Sequence, residues 1–365
     1  MRNYGIEGRT QAYFIGNASI DDLYTFGDSS SLKRSLGGSA LNACYQAFLL
    51  GIHSELHSAV GDDANGEFIL EKIRATGMDH RGIIKMPGYS TLVYSQIVRN
   101  DSDDVVLEKS KNPATDAHTI DMLIDKMPGD LSNSLVYIAG STRKPSFIDE
   151  VYKLENFLDH LSDRGATIAV DPGRTPDPNE LRYHRAQTLL GHPNNLDRID
   201  FLAMNESEFA SYLNVSPEDR TAGIDQGTIG GLVEKYIREK AQPGLICITL
   251  GKNGLYLVNA AGSALVDVPP ISKSERRTTV GLGDSTKAGM LAAILQETEG
   301  SMSPDLLAGL KPDQLRRIGA YGSAISAHRM VTETYGRPAE IAETIARWSD
   351  HYAAYGIHPD YITNQ

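Results

Sequence analysis

The chain has little cysteine and too few positive charges for a polyanion binder. Its 365 residues include only two cysteines, Cys44 and Cys247. Neither belongs to a C-x-x-C pair, so we expect both to be reduced core residues rather than disulfide partners or metal ligands. A formal net charge of -12 argues against a general nucleic-acid or membrane-surface binder, because both functions need a basic surface that replaces counterions.

Long hydrophobic runs are absent as well. No stretch approaches the roughly 18 uninterrupted apolar residues of a membrane span, and the first residues lack the basic-then-apolar layout of a signal peptide. These absences predict a cytoplasmic protein. The hydrophobic content of 41% is ample for a buried core, so the chain is expected to be globular, with one large domain or two ordinary ones.

Strand-like and helix-like segments alternate along the chain. Residues 12–26 are predicted to form a strand that runs into a polar turn, and residues 37–51 a helix that glycines open and close. Further buried strands are predicted near residues 55–60, 134–140, 166–171, 200–205 and 245–251. Such alternation is typical of a parallel sheet covered by helices on both faces, a three-layer α/β sandwich.

Two hairpins interrupt the alternation. Within residues 91–109 two β-rich runs flank the polar turn NDSDD, and within 251–269 two more surround an Asn-Ala-Ala-Gly turn. The first is expected to form a small β-strand lid with parts of residues 24–35. The absence of repeats and low-complexity linkers favours one α/β domain over residues 1–365.

The segment TTVGLGDSTKAGM, residues 278–290, combines glycines, hydroxyls, an acid and a lysine. It is not a P-loop, because the sixth position from Gly281 is Thr286 rather than glycine. Its glycines can instead expose consecutive amides at a helix N-terminus, where they would hold phosphoryl oxygens. Asp284 could then accept a proton from an attacking hydroxyl. The alternative is that Asp284 is a helix cap without a catalytic role.

Polar residues near two other predicted elements could bind a small ligand. In GGSALN, Gly38 would let the backbone approach a polar ligand and Asn42 could bond a hydroxyl, although ordinary helix entry explains the pattern equally well. Asp21 is predicted at the end of the first strand, where carboxylates of such sheets face the ligand crevice.

The segment NESE directly follows another predicted strand. It places Asn205 and Glu208 where a hydrated magnesium ion and a phosphate could lie. The same spacing is typical of a capping box at a helix N-terminus, and this alternative stays open.

Five segments in this order resemble the ribokinase-like (PfkB-type) family of sugar and nucleoside kinases, over almost the whole chain. They are GGSALNACYQAFLLG at 37–51, VGDDANGEFI at 60–69, NESE at 205–208, TLGKNG at 249–254 and TTVGLGD at 278–284.

The resemblance implies a central sheet between helices, a small β lid and transfer of the ATP γ-phosphoryl group to an alcohol, often a hydroxymethyl group. On that model Asp284 deprotonates the acceptor hydroxyl, and the amides from Gly281 through Leu282 and Gly283 to Asp284 form an anion hole. The implied cofactors are ATP and Mg²⁺.

The same resemblance assigns binding roles. The acceptor-binding residues would be Asp21, Gly38 and Asn42; the nucleotide-binding residues would be Asn205, Thr249, Gly251, Lys252 and Gly254; and Glu208 would organise magnesium through water. Lys252 fits a solvated turn lysine as well.

One departure from the family pattern bears on ion requirements. Thr278 stands where the family signature has an aspartate that helps to bind a monovalent cation in several members, so potassium activation is not implied. Leu282 replaces the usual alanine and Thr286 a common aromatic residue. Neither change removes the base or the amides.

The leading hypothesis is therefore an ATP-dependent kinase of a sugar, a cyclitol or a nucleoside, with neither nucleic acid nor membrane as a partner. Paired lids make a homodimer in some family members, and we hold that assembly as an expectation. The rival hypothesis, motivated by Thr278, is a catalytically weak sugar- or nucleotide-sensing protein with the kinase fold. No basic cluster for an acceptor phosphate is evident near the lid beyond Lys109, Lys111 and Arg143.

Two other patterns have ordinary explanations. His53 and His57 have the spacing of a helical metal site, but their segment is predicted to be a strand. Arg174, in DPGRTPD, could border the crevice or belong to a plain loop.

Overall fold

The molecule is built on two β-sheets. The structure is a computed structural model that describes residues 10–25, 28–98, 105–140, 151–173, 196–212 and 244–362. Its strands are β1 Gln11–Ile15, β2 Ser19–Thr25, β3 Asp28–Gly37, β4 His53–Gly61, β5 Ile83–Met86, β6 Val93–Val98, β7 Val105–Lys109, β8 Ser134–Ala139, β9 Thr167–Asp171, β10 Phe201–Asn205, β11 Leu245–Thr249, β12 Leu255–Asn259 and β13 Gly262–Val266.

Nine of these strands form the central sheet. Their spatial order is β13-β12-β11-β10-β9-β8-β1-β4-β5. All neighbours from β11 to β5 run parallel, whereas β12 is antiparallel to both β11 and β13. The mostly parallel sheet and the hairpin around residues 259–262 are therefore confirmed.

Helices cover the sheet. Those of the described residues are α1 Ser39–Leu49, α2 Ala64–Thr76, α3 Ala114–Ala117, α4 Ile120–Lys126, α5 Val151–Asp163, α6 Glu206–Tyr212, α7 Leu282–Glu297, α8 Pro304–Gly309, α9 Pro312–Thr332, α10 Pro338–Arg347 and α11 Ser349–Ala353. No helix in these ranges is long and apolar enough to cross a membrane.

Side chains of the central strands alternate between two hydrophobic cores. On β1, Phe14 points to the core that α1, α7 and α9 share, whereas Ile15 points to the core that contains α4 and α5. This alternation follows from the two-residue period of a strand. It confirms the three-layer arrangement. Cys44 and Cys247 are both buried in the first core, and neither forms a disulfide, as predicted.

The prediction of a single strand over residues 12–26 is wrong, because the chain leaves the central sheet at Gly16. A Cβ atom on Gly16 would lie 2.5 Å from the carbonyl oxygen of Ala139, and the φ angle of Gly16 is 152°. This tight passage past the end of β8 ends β1, and β2 begins in the other sheet. Asp21 is therefore the third residue of β2 and not the end of a central strand.

The second sheet has four strands in the order β3-β2-β6-β7. The predicted pairing across residues 91–109 is confirmed, since β6 and β7 are antiparallel; the turn at residues 100–104 lies outside the described residues. β2 is antiparallel to β3 and parallel to β6. The sheet begins at Ser19, earlier than the predicted range 24–35. We call these four strands the small sheet.

Candidate active site

Asp284 lies in the first turn of α7 and is not the cap of that helix. The helix begins at Leu282, and its N-cap is Gly281 in the left-handed conformation with φ 74°. The carboxylate of Asp284 instead accepts a hydrogen bond from the side-chain amide of Asn42, with Nδ2 and Oδ2 3.0 Å apart. The cap alternative is therefore wrong, and the acid is available for chemistry.

Free backbone amides surround this acid. The first helical hydrogen bond of α7 runs from the amide of Ser285 to the carbonyl of Gly281. The amides of Leu282, Gly283 and Asp284 precede it, so they have no partner within the helix. Because the helix dipole places partial positive charge at the same end, these groups are suited to an oxyanion.

The surroundings of Asp284 raise the pKa of its carboxyl group toward neutrality. Desolvation raises the pKa of Asp284 to about 6, and the negative charge of Asp171 acts in the same direction. The charge of Lys287, the Asn42 hydrogen bond and the charge of Arg329 lower it. The residue is half-buried, so its carboxylate can still meet a ligand. A carboxylate with such a pKa is mostly ionised at pH 7 and can accept a proton.

The structure brings Asp21 to the same place. Burial, and then the charge of Asp284, raise the pKa of Asp21 to about 6. A Cβ atom on Gly37 would lie 2.3 Å from the Asp21 carboxylate, so this close approach needs the glycine. Asp21 is 6% exposed. The carboxylates of Asp21, on the small sheet, and Asp284, on α7, thus lie close enough to interact electrostatically.

The start of α1 lies beside Asp284. Gly38 is the N-cap of α1 with φ 93°, and a Cβ atom there would lie 2.3 Å from the carbonyl oxygen of Asn17. Asn42 falls one turn into the helix, as predicted. Its Oδ1 atom is buried and has no hydrogen-bond partner among the described residues. A buried acceptor without a partner is costly unless a ligand completes it.

A buried ion pair beneath Asp284 is a feature that the sequence interpretation missed. Lys287, one turn further along α7, places its Nζ atom 2.5 Å from Oδ2 of Asp171 at the end of β9. Lys287 is 6% and Asp171 2% exposed. Burial alone would lower the pKa of Lys287, but the charges of Asp171, Glu208 and Asp284 outweigh it and raise that pKa. A lysine among apolar residues of a helix was the available sequence signal.

Asn205 and Glu208 form a capping box, which was the alternative prediction for the NESE segment. The amide of Asn205 donates to Oε2 of Glu208 and the amide of Glu208 donates to Oδ1 of Asn205, both at 2.8 Å. Glu208 is 3% exposed, and desolvation together with the charge of Asp171 raises its pKa to about 7. One carboxylate oxygen is thus engaged in the helix cap.

The predicted nucleotide loop follows the neighbouring strand. Thr249 ends β11 and lies opposite Asn205 in the parallel register of β10 and β11. Gly251 and Lys252 belong to a short 3-10 helix. Gly254 has φ 96°, and a Cβ atom on it would lie 2.0 Å from the carbonyl oxygen of Val266. Lys252 is exposed, which suits a solvated turn lysine. The structure therefore brings the loop and the NESE segment to one edge of the sheet.

The remaining candidate residues from the sequence add little to this site. Lys109 pairs with Asp116, whose Oδ2 lies 3.0 Å from its Nζ, and Lys111 is exposed. Arg143 and Arg174 lie outside the described residues. His53 and His57 lie on β4, as predicted for a strand.

Ion binding in the described ranges depends on clustered ligands and on the position of Thr278. These ranges hold no group of three or more acidic, histidine or cysteine residues that could bind a metal ion. At Thr278, the side-chain oxygen accepts a hydrogen bond from the amide of Val280 at 3.0 Å, in a local turn.

The chain is similar to several known proteins. The chain is 22% identical over 324 residues to the bifunctional protein HldE of Magnetococcus marinus, a match that covers 85% of this chain and 61% of HldE. The chain thus spans less than two thirds of that relative. The fructokinase of Vibrio cholerae O395, solved with fructose, ADP and calcium, is 13% identical with a TM-score of 0.67, covering 90% of this chain and 95% of that one.

A second solved structure, the aminoimidazole riboside kinase of Salmonella enterica with aminoimidazole riboside and an ATP analogue, is 16% identical with a TM-score of 0.67, covering 92% of this chain and all of the other. At such identities the structures establish a shared fold. The model of the pfkB family of carbohydrate kinases matches residues 10–329, nearly the whole chain. With its three-layer fold and small second sheet, the chain belongs to the pfkB family of carbohydrate kinases.

Proposed function

We propose that this protein transfers the γ-phosphoryl group of ATP to a hydroxyl group of a sugar, a cyclitol or a nucleoside, most simply a hydroxymethyl group. The observation that carries the proposal is the Asp284 carboxylate, held by Asn42 beside three free amides of α7. A base and an oxyanion site in such proximity are what phosphoryl transfer requires, because its catalysis consists mostly of positioning and electrostatic stabilisation.

In the proposed reaction Asp284 accepts the proton of the acceptor hydroxyl. The hydroxyl oxygen forms a bond to the γ-phosphorus while the bond from that phosphorus to the β,γ-bridging oxygen breaks. ADP leaves with the electron pair of the broken bond. The amides of Gly281, Leu282, Gly283 and Asp284 stabilise the negative charge on the equatorial oxygens.

The acceptor would lie between the small sheet and α1. Asp21 can accept hydrogen bonds from two acceptor hydroxyls, and the unpartnered Oδ1 of Asn42 can accept a third. Gly38 lets the backbone approach. The fructose and the riboside held by the two related kinases are ligands of this kind. Closure of the small sheet over the pocket would exclude water, which otherwise competes as acceptor.

ATP would bind at the carboxyl ends of β10 and β11. Thr249, Gly251 and Gly254 would line the nucleotide site, with Asn205 beside them and Lys252 in reach of a phosphate. ADP and an ATP analogue in the two related kinases support this choice of cosubstrate. A magnesium ion, held by Glu208 through water, would neutralise charge on the phosphates.

The decisive experiment is a panel of sugars, cyclitols and nucleosides incubated with the purified protein, ATP and magnesium. Formation of ADP should match formation of a phosphomonoester for at least one acceptor. If acceptors bind saturably and none is phosphorylated, the protein is a sugar- or nucleotide-sensing member of the family instead. Sodium, potassium and choline salts in parallel also test the cation requirement, for which Thr278 leads us to expect little potassium activation.

A further inference from the structure

An arginine that no sequence motif indicated lies beside the N-terminus of α7. Arg329 belongs to the last turn of α9. A Cβ atom built on Gly281 would lie 3.9 Å from Nε of Arg329, 3.3 Å from Oη of Tyr335 and 3.6 Å from Nδ2 of Asn42. These three side chains therefore border the point where the proposed anion hole begins.

The protein holds the Arg329 guanidinium in place. Its Cζ atom lies 4.1 Å from the centre of the Tyr335 ring, a cation–π contact. Its Nη1 group donates to the carbonyl oxygen of Glu333, and the Tyr335 ring in turn packs edge-on against Tyr45, with centroids 5.4 Å apart. A planar cation fixed on two sides is preorganised, so little entropy is lost when it binds a ligand.

Arg329 has no carboxylate partner among the described residues. Its neighbours on α9 differ in this respect, since Arg316 pairs with Asp313 and Arg317 with Glu297. Nε of Arg329 and Oη of Tyr335 are both buried without a hydrogen-bond partner in the described ranges. Buried donors of this kind are costly unless something completes them.

Two sources of positive charge, the Arg329 guanidinium and the start of α7, meet at this point. The positive charge of Arg329 lowers the pKa of both Asp21 and Asp284, so the guanidinium lies within electrostatic reach of both carboxylates. The amides of α7 add partial positive charge from the other side.

We propose that Arg329 is a catalytic residue that donates hydrogen bonds to oxygens of the transferred phosphoryl group, next to the amides of α7. The inference rests on the kinase function proposed above. In the transition state, negative charge is spread over three equatorial oxygens, and a fixed guanidinium beside them stabilises that charge without reorganisation. The stacked Tyr335 ring acts through Arg329, as a positioning residue.

The test compares Arg329→Gln and Arg329→Lys with Arg316→Gln, a control on the exposed side of the same helix. We expect Arg329→Gln to lower kcat about 100-fold or more for every accepted substrate, as loss of an oxyanion-hole donor does. KM for the acceptor should stay within about threefold, since the contact forms mainly in the transition state. Arg329→Lys should recover part of kcat, and Arg316→Gln should match the wild type. Unchanged kcat in a folded Arg329→Gln variant would overturn the proposal.

A different ligand for Arg329 would give a different pattern. If the guanidinium binds an anionic group of the acceptor, Arg329→Gln should raise KM for phosphorylated or carboxylated acceptors and spare neutral ones. That result would overturn the assignment to the transferred group.

A binding measurement keeps this proposal separate from the proposed function. ADP with aluminium fluoride, which mimics the transferred phosphoryl group, should bind the wild type and Arg316→Gln equally and bind Arg329→Gln at least about tenfold more weakly, while ADP alone binds all three alike. If no acceptor is phosphorylated, the kinase function fails, and this measurement still decides the role of Arg329. Equal affinity of the mimic for all three proteins would reject that role.

Discussion

Nδ2 of Asn42 lies 3.0 Å from Oδ2 of Asp284, although 242 residues separate them along the chain. The contact joins the first turn of α1 to the first turn of α7. It orients the proposed base and stabilises its charged form, because a carboxylate that accepts a hydrogen bond is easier to ionise. Asn42 on α1, the helix that follows β3, thus helps to set the pKa of the proposed base on α7.

The first prediction concerns pH. Since desolvation raises the pKa of Asp284 to about 6, kcat/KM for the acceptor should fall as the pH drops through about 6, where the base becomes protonated. Asn42→Ala removes a hydrogen bond that lowers this pKa, so the acid limb should move to higher pH. The measurement is kcat/KM against pH for both proteins. An acid limb that stays in place in Asn42→Ala would show that the contact does not tune the base.

The second prediction concerns the glycine that precedes α7. Gly281→Ala puts a side chain at φ 74°, 3.3 Å from Oη of Tyr335. The strain should cost about 1–2 kcal/mol of unfolding free energy, and displacement of the first amides should lower kcat roughly 100-fold. Urea titrations and steady-state kinetics measure the two effects.

Gly77→Ala is the matched control for this change. Gly77 has φ 81° at the end of α2, with no atom within 4 Å of its added Cβ. It should lose similar stability and keep the wild-type kcat. If Gly281→Ala also keeps that kcat, the amides of α7 do not form the anion hole.

The third prediction concerns the buried pair of Lys287 and Asp171. Lys287→Met leaves the buried carboxylates of Asp171 and Glu208, and the half-buried carboxylate of Asp284, without their cation. We expect a loss of about 3–5 kcal/mol of unfolding free energy, as for other broken buried pairs. Adding Asp171→Asn should recover part of it, because that change removes one uncompensated charge. A double-mutant cycle in urea measures the coupling; strictly additive losses would show that the two residues do not stabilise each other.

Much of the fold was predictable because its signals are local. The alternation of strands and helices, the two hairpins and the glycine-opened α1 all follow from short-range periodicity and turn residues. The break at Gly16 was not, since it depends on a close approach to Ala139 on a strand far along the chain. Misplacing that break put Asp21 in the wrong sheet.

In the candidate site, too, some residues were predictable from local sequence and others were not. Asp284 and Asn42 were proposed from motifs, and Asp21 from its predicted place at the end of a strand. In the structure Asn42 bonds to Asp284, and Asp21 lies within electrostatic reach of Asp284. The pairing of Lys287 with Asp171 and the placement of Arg329 beside Gly281 depend on packing between distant segments, which no single stretch of sequence encodes. Both cations were therefore missed, although each is visible as a charged residue on a mostly buried helix.

Asp284→Asn tests the proposed base most directly. The change keeps the size of the side chain and removes the proton acceptor, so it should lower kcat by at least about 1,000-fold, within the range for general base catalysis. The control is Asp305→Asn, an exposed acid in the first turn of α8, which should match the wild type. The measurement is phosphoryl transfer from ATP to an accepted substrate, together with the affinity for ATP. We predict loss of transfer with ATP affinity within a few-fold of the wild type; near-normal transfer by Asp284→Asn would contradict the assignment of the base.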